Sequence, residues 1–151
     1  MQPPSRKPRT VYARIVADLF HRGHVAYLAA ARALGDRLIV YVIDDAHAAA
    51  VKRPPLLPQA DRIAVVAACR YVDEVVASGP REIDVAFMQA QGYDLYVYGY
   101  ADEAEAARKR TVCRTLPADM VAIIPYATGI SSTGIRERIL ARALEHQRSP
   151  G

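Results

Sequence analysis

The chain has no tryptophan, only two phenylalanines and only two cysteines among its 151 residues. Cys69 and Cys113 lie far apart with no CxxC spacing, which excludes a disulfide framework or a zinc ribbon. Two free thiols in a reducing cytoplasm is the expectation. No apolar run approaches the ~20 residues of a membrane span, since the one from Leu38 to Ile43 stops at Asp44-Asp45. Met1 to Arg9 holds three prolines and three basic residues but no apolar segment, which argues against a secretory signal. Extremes of composition are missing too. With 52% hydrophobic and 24% charged residues, the chain is neither disordered nor fibrous, and its length suits one domain with a core.

A charge excess is present but misleading. The 20 Lys and Arg exceed the 16 Asp and Glu, for a formal +4. Arg6, Lys7, Arg9 and Arg14 account for all of it, and from residue 15 onward the signs balance. The basicity therefore belongs mostly to the lead-in and implies neither a nucleic-acid nor a membrane partner.

Strand-like and helix-like stretches alternate along the rest. Val11–Ala17, Arg37–Ile43, Glu74–Ala77, Leu95–Tyr100 and Met120–Ile124 read as strands. Helices are expected over Gly23–Leu34, Ala60–Ala68, Ile83–Gln91, from Asp102, and over Ser132–Leu144, with Gly35 and Gly92 as stops. Asp44–Gln59, with Pro54, Pro55 and Pro58, reads as a long functional loop. The pattern predicts a Rossmann-like three-layer α/β/α domain with a mainly parallel five-stranded sheet. It spans 11–146, between a disordered lead-in or linker remnant (1–10) and a disordered tail (147–151). Ligands of such sheets bind at the carboxyl ends of the strands, so the loops Ala17–His24, Asp44–Gln59, Tyr98–Asp102 and Pro125–Thr133 are where chemistry is expected.

Two of those loops carry motifs. Asp18-Leu-Phe-His21-Arg-Gly23-His24 brings two histidines to one side of a first helical turn, with Gly23 letting a ligand approach the backbone. Free amides and two imidazoles there suit a phosphate better than a metal, for no HExxH glutamate accompanies the pair. Gly129-Ile-Ser131-Ser132-Thr133-Gly-Ile-Arg136 offers hydroxyls and amides at the start of the last helix, as a second anion site or as plain N-capping. Tyr96 and Tyr98 read as packing. Arg108-Lys109-Arg110 reads as the solvated face of a helix.

HxGH followed by ISSTxIR resembles the HxGH nucleotidylyltransferase superfamily and, within it, the cytidylyltransferases of glycerol phosphate and ethanolamine phosphate. Asp61-Arg62 with Arg70-Tyr-Val-Asp73-Glu-Val resembles that group's "HR…RYVDEV" segment, and Lys52 its triphosphate lysine. The resemblance implies attack of an acceptor oxygen on the α-phosphorus of CTP, with Mg²⁺ travelling on the triphosphate and no residue binding metal directly. It implies that His21, His24 and Lys52 hold the phosphates, joined by Ser131, Ser132, Thr133 and Arg136. Arg62 and Arg70 would neutralise substrate anions. Asp18, Gly23, Asp73 and Gly99 would shape the nucleotide site, and a homodimer with the RYVDEV-like segment at its contact is implied as well.

The pattern is altered in places. Ile15-Val16-Ala17-Asp18 stands for the usual GTFD, Gly99-Tyr100-Ala101-Asp102 for GDDW, and Tyr126 for an arginine before the GIST-like segment. Ala17, Tyr100 and Tyr126 therefore mark the base or acceptor pocket. The expected acceptor is a small phosphonate or phosphorylated alcohol, with 2-hydroxyethylphosphonate beside glycerol 3-phosphate and ethanolamine phosphate. That set is similar to the cytidylyltransferase domains fused to phosphoenolpyruvate mutase in fosfomycin biosynthesis, which implies a second catalytic domain joined through the lead-in. An adenylyltransferase on the same scaffold, with a flavin or sugar-phosphate acceptor, and a non-catalytic nucleotide-binding domain are the rival readings.

Overall fold

Buried Val, Ile, Leu and Tyr runs build five short strands in a computed structural model that describes residues 6–148. These are β1 (Thr10–Ile15), β2 (Arg37–Val42), β3 (Glu74–Val76), β4 (Leu95–Tyr100) and β5 (Val121–Pro125). All pair in parallel in the order β3-β2-β1-β4-β5. The helices are α1 (Arg22–Arg32), α2 (Asp45–Val51), α3 (Gln59–Ala67), α4 (Val85–Gln91), α5 (Glu103–Val112) and α6 (Ser132–Arg148). The expected five-stranded Rossmann-like architecture is the one observed.

Alternation along β1 makes two cores. Val11, Ala13 and Ile15 point to one face and pack with Tyr27, Leu28 and Ala31 of α1 and Val66 of α3. Tyr12 points to the other and packs with Ile39, Tyr96, Met88 of α4 and Cys113 after α5. Both faces of the sheet are thus covered, which explains why its strands read as almost unbroken apolar runs. Asp44, Asp84 and Asp102 cap α2, α4 and α5 by each accepting the amide three residues on, and Gly92 ends α4.

Two expectations need correcting. The stretch 44–59 is not loop throughout, because Asp44 caps a seven-residue helix, α2, and only 52–58 is irregular. Its short Ala-rich turn buries His47 and Ala48. Of the expected lead-in, residues 6–9 lie beside Asp36 and Asp94, to which Arg6 and Lys7 pair, and Thr10 begins β1. Residues 1–5 and 149–151 lie outside the described residues, and 147–148 continue α6. None of the described helices is long and apolar enough to cross a membrane.

After β1 the chain turns to one side of the sheet, and after β3 it returns to the other, at β4. The carboxyl ends of β1 and β4 therefore diverge into loops and leave a crevice between them.

Candidate active site

The crevice is a cleft of about 800 Å³. The loops after β1, β2, β4 and β5 line it, together with the starts of α1 and α6. Six cationic side chains reach it, Arg14, Lys52, Arg53, Arg108, Lys109 and Arg136, against two acidic ones, Asp18 and Glu105. A domain that is neutral beyond its first residues thus gathers its positive charge here, which favours an anionic ligand.

The histidine pair forms the entry to α1. His21 is the N-cap, and its Nδ1 accepts the Gly23 amide at 3.0 Å. His24 Nδ1 accepts the His21 amide at 3.1 Å, so the two rings build a reciprocal capping box 4.0 Å apart. An Nδ1 that accepts from an amide carries no proton, which assigns the hydrogen of each neutral ring to Nε2. Burial, with the His21 ring beside it, pushes His24 down to about 4. Burial, with Arg22 nearby, lowers His21 as well. Both therefore act as neutral N–H donors lining the cleft and not as charges. Gly23 is needed for this, because a Cβ there would lie 2.8 Å from His21 Cε1.

Asp18 is the knot of the site. Its carboxylate, 5% exposed, accepts the Leu56 and Leu57 amides at 2.9 and 3.0 Å and the Arg136 guanidinium at 2.6 Å. Those hydrogen bonds and the Arg136 charge outweigh its burial and hold the carboxyl below its usual range. Its carbonyl accepts the Ser132 hydroxyl at 2.6 Å. Its neighbours Ala17 and Leu19 adopt φ of 60° and 51°, left-handed values that a non-glycine residue takes at a cost of about 1–2 kcal/mol, and which Asp18's bonds hold in place. The first loop, the Pro-rich loop and α6 thus meet on one residue.

The hydroxyls before and in α6 are already engaged. Ser131 caps the helix through Gly134 N at 3.0 Å, Ser132 binds Asp18, and Thr133 accepts Arg53 at 2.9 Å. Capping, the alternative left open by the sequence, holds for Ser131. The amides of Ser132 and Thr133 open the helix toward the cleft, which leaves the anion-binding end of α6 available. Arg136 binds Asp18 and the Pro54 carbonyl, while its buried Nε has no partner among the described residues. Lys52 ends α2 exposed on the cleft rim.

Five expected site residues lie elsewhere. Arg62 is fully buried and donates to the carbonyls of Leu57, Val16 and Ile43 at 3.0, 2.6 and 2.8 Å and to Asp45 at 2.5 Å. It is a clamp under the cleft and cannot neutralise a substrate. Asp73 binds the Leu38 amide and Arg32 at the amino end of the sheet, opposite the cleft. Arg70 lies outside it, beside Phe20, Val65 and Tyr71 in a shallow surface groove. Ala17 lines the cleft and Tyr100 does not, nor does Gly99, whose missing Cβ admits the Tyr126 ring (a Cβ would sit 2.1 Å from Tyr126 Cε1).

Other residues join the cleft without a motif to announce them. Lys109 is half-buried and engaged within the protein, not held on a solvated face. It donates to the Gly99 carbonyl at 2.7 Å and the Tyr126 hydroxyl at 2.8 Å, and pairs with Glu105 at 2.9 Å. An ammonium has no lone pair, so Tyr126 is the acceptor and its own proton stays free to donate. Tyr96 and Tyr98 are buried as expected, yet border the cleft. Arg14 and His47 stand on its floor and are bonded to each other at 3.0 Å.

Comparison with known proteins places this arrangement. The family model described as cytidylyltransferase-like matches residues 16–138. An ethanolamine-phosphate cytidylyltransferase of Arabidopsis thaliana is 34% identical over 151 aligned positions, 89% of this chain and 33% of that protein. An FAD synthase of Pyrococcus horikoshii is 41% identical over 95 positions, 62% of this chain and 64% of that protein. The chain thus spans about a third of the plant enzyme and about two thirds of the archaeal one. Among solved structures, a lipopolysaccharide core biosynthesis protein from Thermoplasma volcanium aligns with a TM-score of 0.59 at 26% identity, over 82% of this chain and 100% of that one.

Proposed function

The chain belongs to the cytidylyltransferase-like family, and on that footing we propose that it transfers CMP from CTP to a small acceptor bearing phosphate or phosphonate. The capping box carries this reading, since it fixes both histidine Nδ1 atoms on backbone amides and assigns each ring's remaining donor to Nε2 in a cationic cleft. An anionic acceptor oxygen attacks the α-phosphorus. The bond to the β-phosphate oxygen breaks, and pyrophosphate leaves with the electron pair. An acceptor already ionised gives up no proton, so the protein supplies position and charge stabilisation only.

His21 and His24 donate to the reacting phosphate. Lys52 reaches the β- and γ-phosphates from the rim, and the open amides of α6 bind the same group. Glu105, Lys109 and Tyr126 form the wall that the base or acceptor meets. Mg²⁺ fits best as a passenger on the triphosphate, because the described residues hold no group of three potential metal ligands and the Asp18 carboxylate is already occupied. When bound there, it offsets phosphate charge.

Within the acceptor class our reading is 2-hydroxyethylphosphonate before glycerol 3-phosphate and ethanolamine phosphate, with the altered residues Ala17 and Tyr126 lining the cleft where the acceptor would be chosen. We assign the groove at Arg70 and Tyr71, where Val65 is 42% exposed, to a homodimer contact, which light scattering on the purified protein tests.

Melting with Mg²⁺ and each of CTP, ATP, GTP and UTP tests the nucleotide. Ligand at 100-fold its Kd adds about 2.7 kcal/mol, or roughly 5–11 °C in Tm for a domain of this size. The largest shift is expected with CTP, and a larger one with ATP would favour adenylyl transfer, which the likeness to FAD synthase makes the second reading. Pyrophosphate release is then followed with the three acceptors in turn. Binding without release from any of them would leave a non-catalytic nucleotide domain.

A further inference from the structure

The cleft has a second positive centre that the triphosphate grip leaves unused. Arg14 stands near the carboxyl end of β1, on the sheet face opposite α1 and its histidine pair. Its guanidinium donates to the Arg81 carbonyl at 3.1 Å and to His47 Nε2 at 3.0 Å, and lies 5.8 Å from the centre of the Tyr41 ring. All these partners are neutral. Among the described residues no carboxylate comes within ion-pair distance of Arg14, whereas Arg32, Arg37, Arg62 and Arg136 each have one.

His47 is built to keep that charge in place. It is 5% exposed, and its amide binds the Asp44 carboxylate that caps α2. Its Nε2 faces a guanidinium, which has no lone pair, so Nε2 accepts and the ring is neutral. Burial, with the Arg14 and Arg81 charges beside it, lowers the His47 pKa accordingly. At least two of five guanidinium donors are committed in this way, the neutral Tyr96 hydroxyl is also within their reach, and the planar fork is held at a fixed angle on the cleft floor. A half-buried cation with no counter-charge among the described residues, held at a fixed angle and facing the 800 Å³ cleft, is suited to an anion.

We propose that Arg14, positioned by His47, binds the tetrahedral anionic group of the acceptor, a phosphate monoester or a phosphonate. This rests on the nucleotidyl-transfer reading above and divides its cleft into two subsites. The α1–α6 side holds the nucleotide phosphates and the floor beside α2 holds the acceptor anion. Arg14 then offsets the repulsion between the acceptor and the triphosphate as the two approach, and touches the group that supplies the attacking oxygen.

The test is equilibrium binding, independent of turnover. The wild-type protein is saturated with α,β-methylene-CTP, which fills the nucleotide side without reacting, and methylphosphonate is titrated by calorimetry. In Arg14→Gln the Kd for methylphosphonate is expected to rise tenfold or more, while that for α,β-methylene-CTP stays within twofold. An unchanged methylphosphonate Kd overturns the proposal, and so does an equal loss of nucleotide affinity, which would move Arg14 to the nucleotide side. Wild-type protein that binds methylphosphonate without binding the nucleotide analogue would instead refute the underlying reading and leave only an anion site. Should Arg14→Gln fail to fold, His47→Ala takes its place. Releasing the guanidinium is expected to weaken methylphosphonate threefold or more with nucleotide affinity kept, and no change overturns the proposal. Methyl phosphate titrated in parallel separates the two acceptor classes by the ratio of their Kd values.

Discussion

Arg62→Met should strike stability before it touches turnover. The guanidinium is fully buried and holds three carbonyls, those of Val16, Ile43 and Leu57, from three different segments. Methionine keeps the stem and much of the volume but offers no donor. An acceptor left unpaired costs about 1–3 kcal/mol when buried, and these three residues are only half-buried, so the low end applies to each. The pair with Asp45, whose side chain is 55% exposed, adds less than about 1 kcal/mol. The sum is about 4 kcal/mol, a large part of the 5–15 kcal/mol typical of a domain. At about 2–4 °C per kcal/mol, Tm should fall by roughly 8–16 °C. Urea unfolding followed by circular dichroism measures this, with Arg62→Lys as a variant that keeps one donor group and should lose less. CTP affinity is then taken at a temperature where both variants are folded, and should be within about threefold of wild type. A variant that melts within 2 °C of wild type yet loses CTP binding would refute the clamp and restore Arg62 to the substrate.

Three further outcomes follow from the site. His24 has a folded pKa of about 4 against an unfolded 6.5, so the unfolded chain binds the extra proton between those values and stability falls as pH drops through that window, by up to about 3 kcal/mol. Urea midpoints from pH 7 to 4.5 should show this slope and His24→Gln should lessen it, the remainder coming from His21 and His47, which burial also lowers; equal slopes in both would refute the capping box as a source. Tyr126→Phe removes one donor from the cleft wall and should raise the acceptor KM about fivefold, near 1 kcal/mol, with Tm nearly unchanged, and an unaltered KM would take Tyr126 out of substrate contact. Lys52→Met, at an exposed helix end, should leave Tm within about 1 °C and lower kcat/KM for CTP at least tenfold; full activity would remove Lys52 from the triphosphate.

The strands were legible because burial on both faces makes each an uninterrupted apolar run, as in Leu95–Tyr100, which is bounded in the sequence where it is bounded in the fold. Helix α2 was hidden by the prolines that follow it, although Asp44 before an alanine-rich turn is a capping signal that could have revealed it. Asp73 was misplaced by following a motif and not the topology. It stands before β3, and what precedes a strand in a parallel sheet lies at the end away from the ligand. Arg62 shows the same limit from the other side, since a charged residue in a motif segment carries no mark of whether it faces in or out. Lys109 was obscured by Glu105, one turn earlier, because the pair has the spacing of a solvated ion pair. Its contact with Tyr126 comes from the way α5 lies over β4, which helical periodicity does not encode.

Asp18 also sets an order of events. Its partners Ser132 and Arg136 stand 114 and 118 positions further along the chain. α6 buries no residue of its own and is held mainly where it begins, by Asp18, Arg53 and the Arg22 bond to the Thr128 carbonyl. Strand pairing between β1 and β2 closes short loops and can run ahead, whereas the knot at Asp18 closes the longest loop among the described side-chain hydrogen bonds. During synthesis the sheet can therefore form while the cleft waits for the segment that carries α6. A chain cut before Ser131 would retain most of its core yet lose the α6 side of the cleft, so folding of the sheet and assembly of the cleft are separable events.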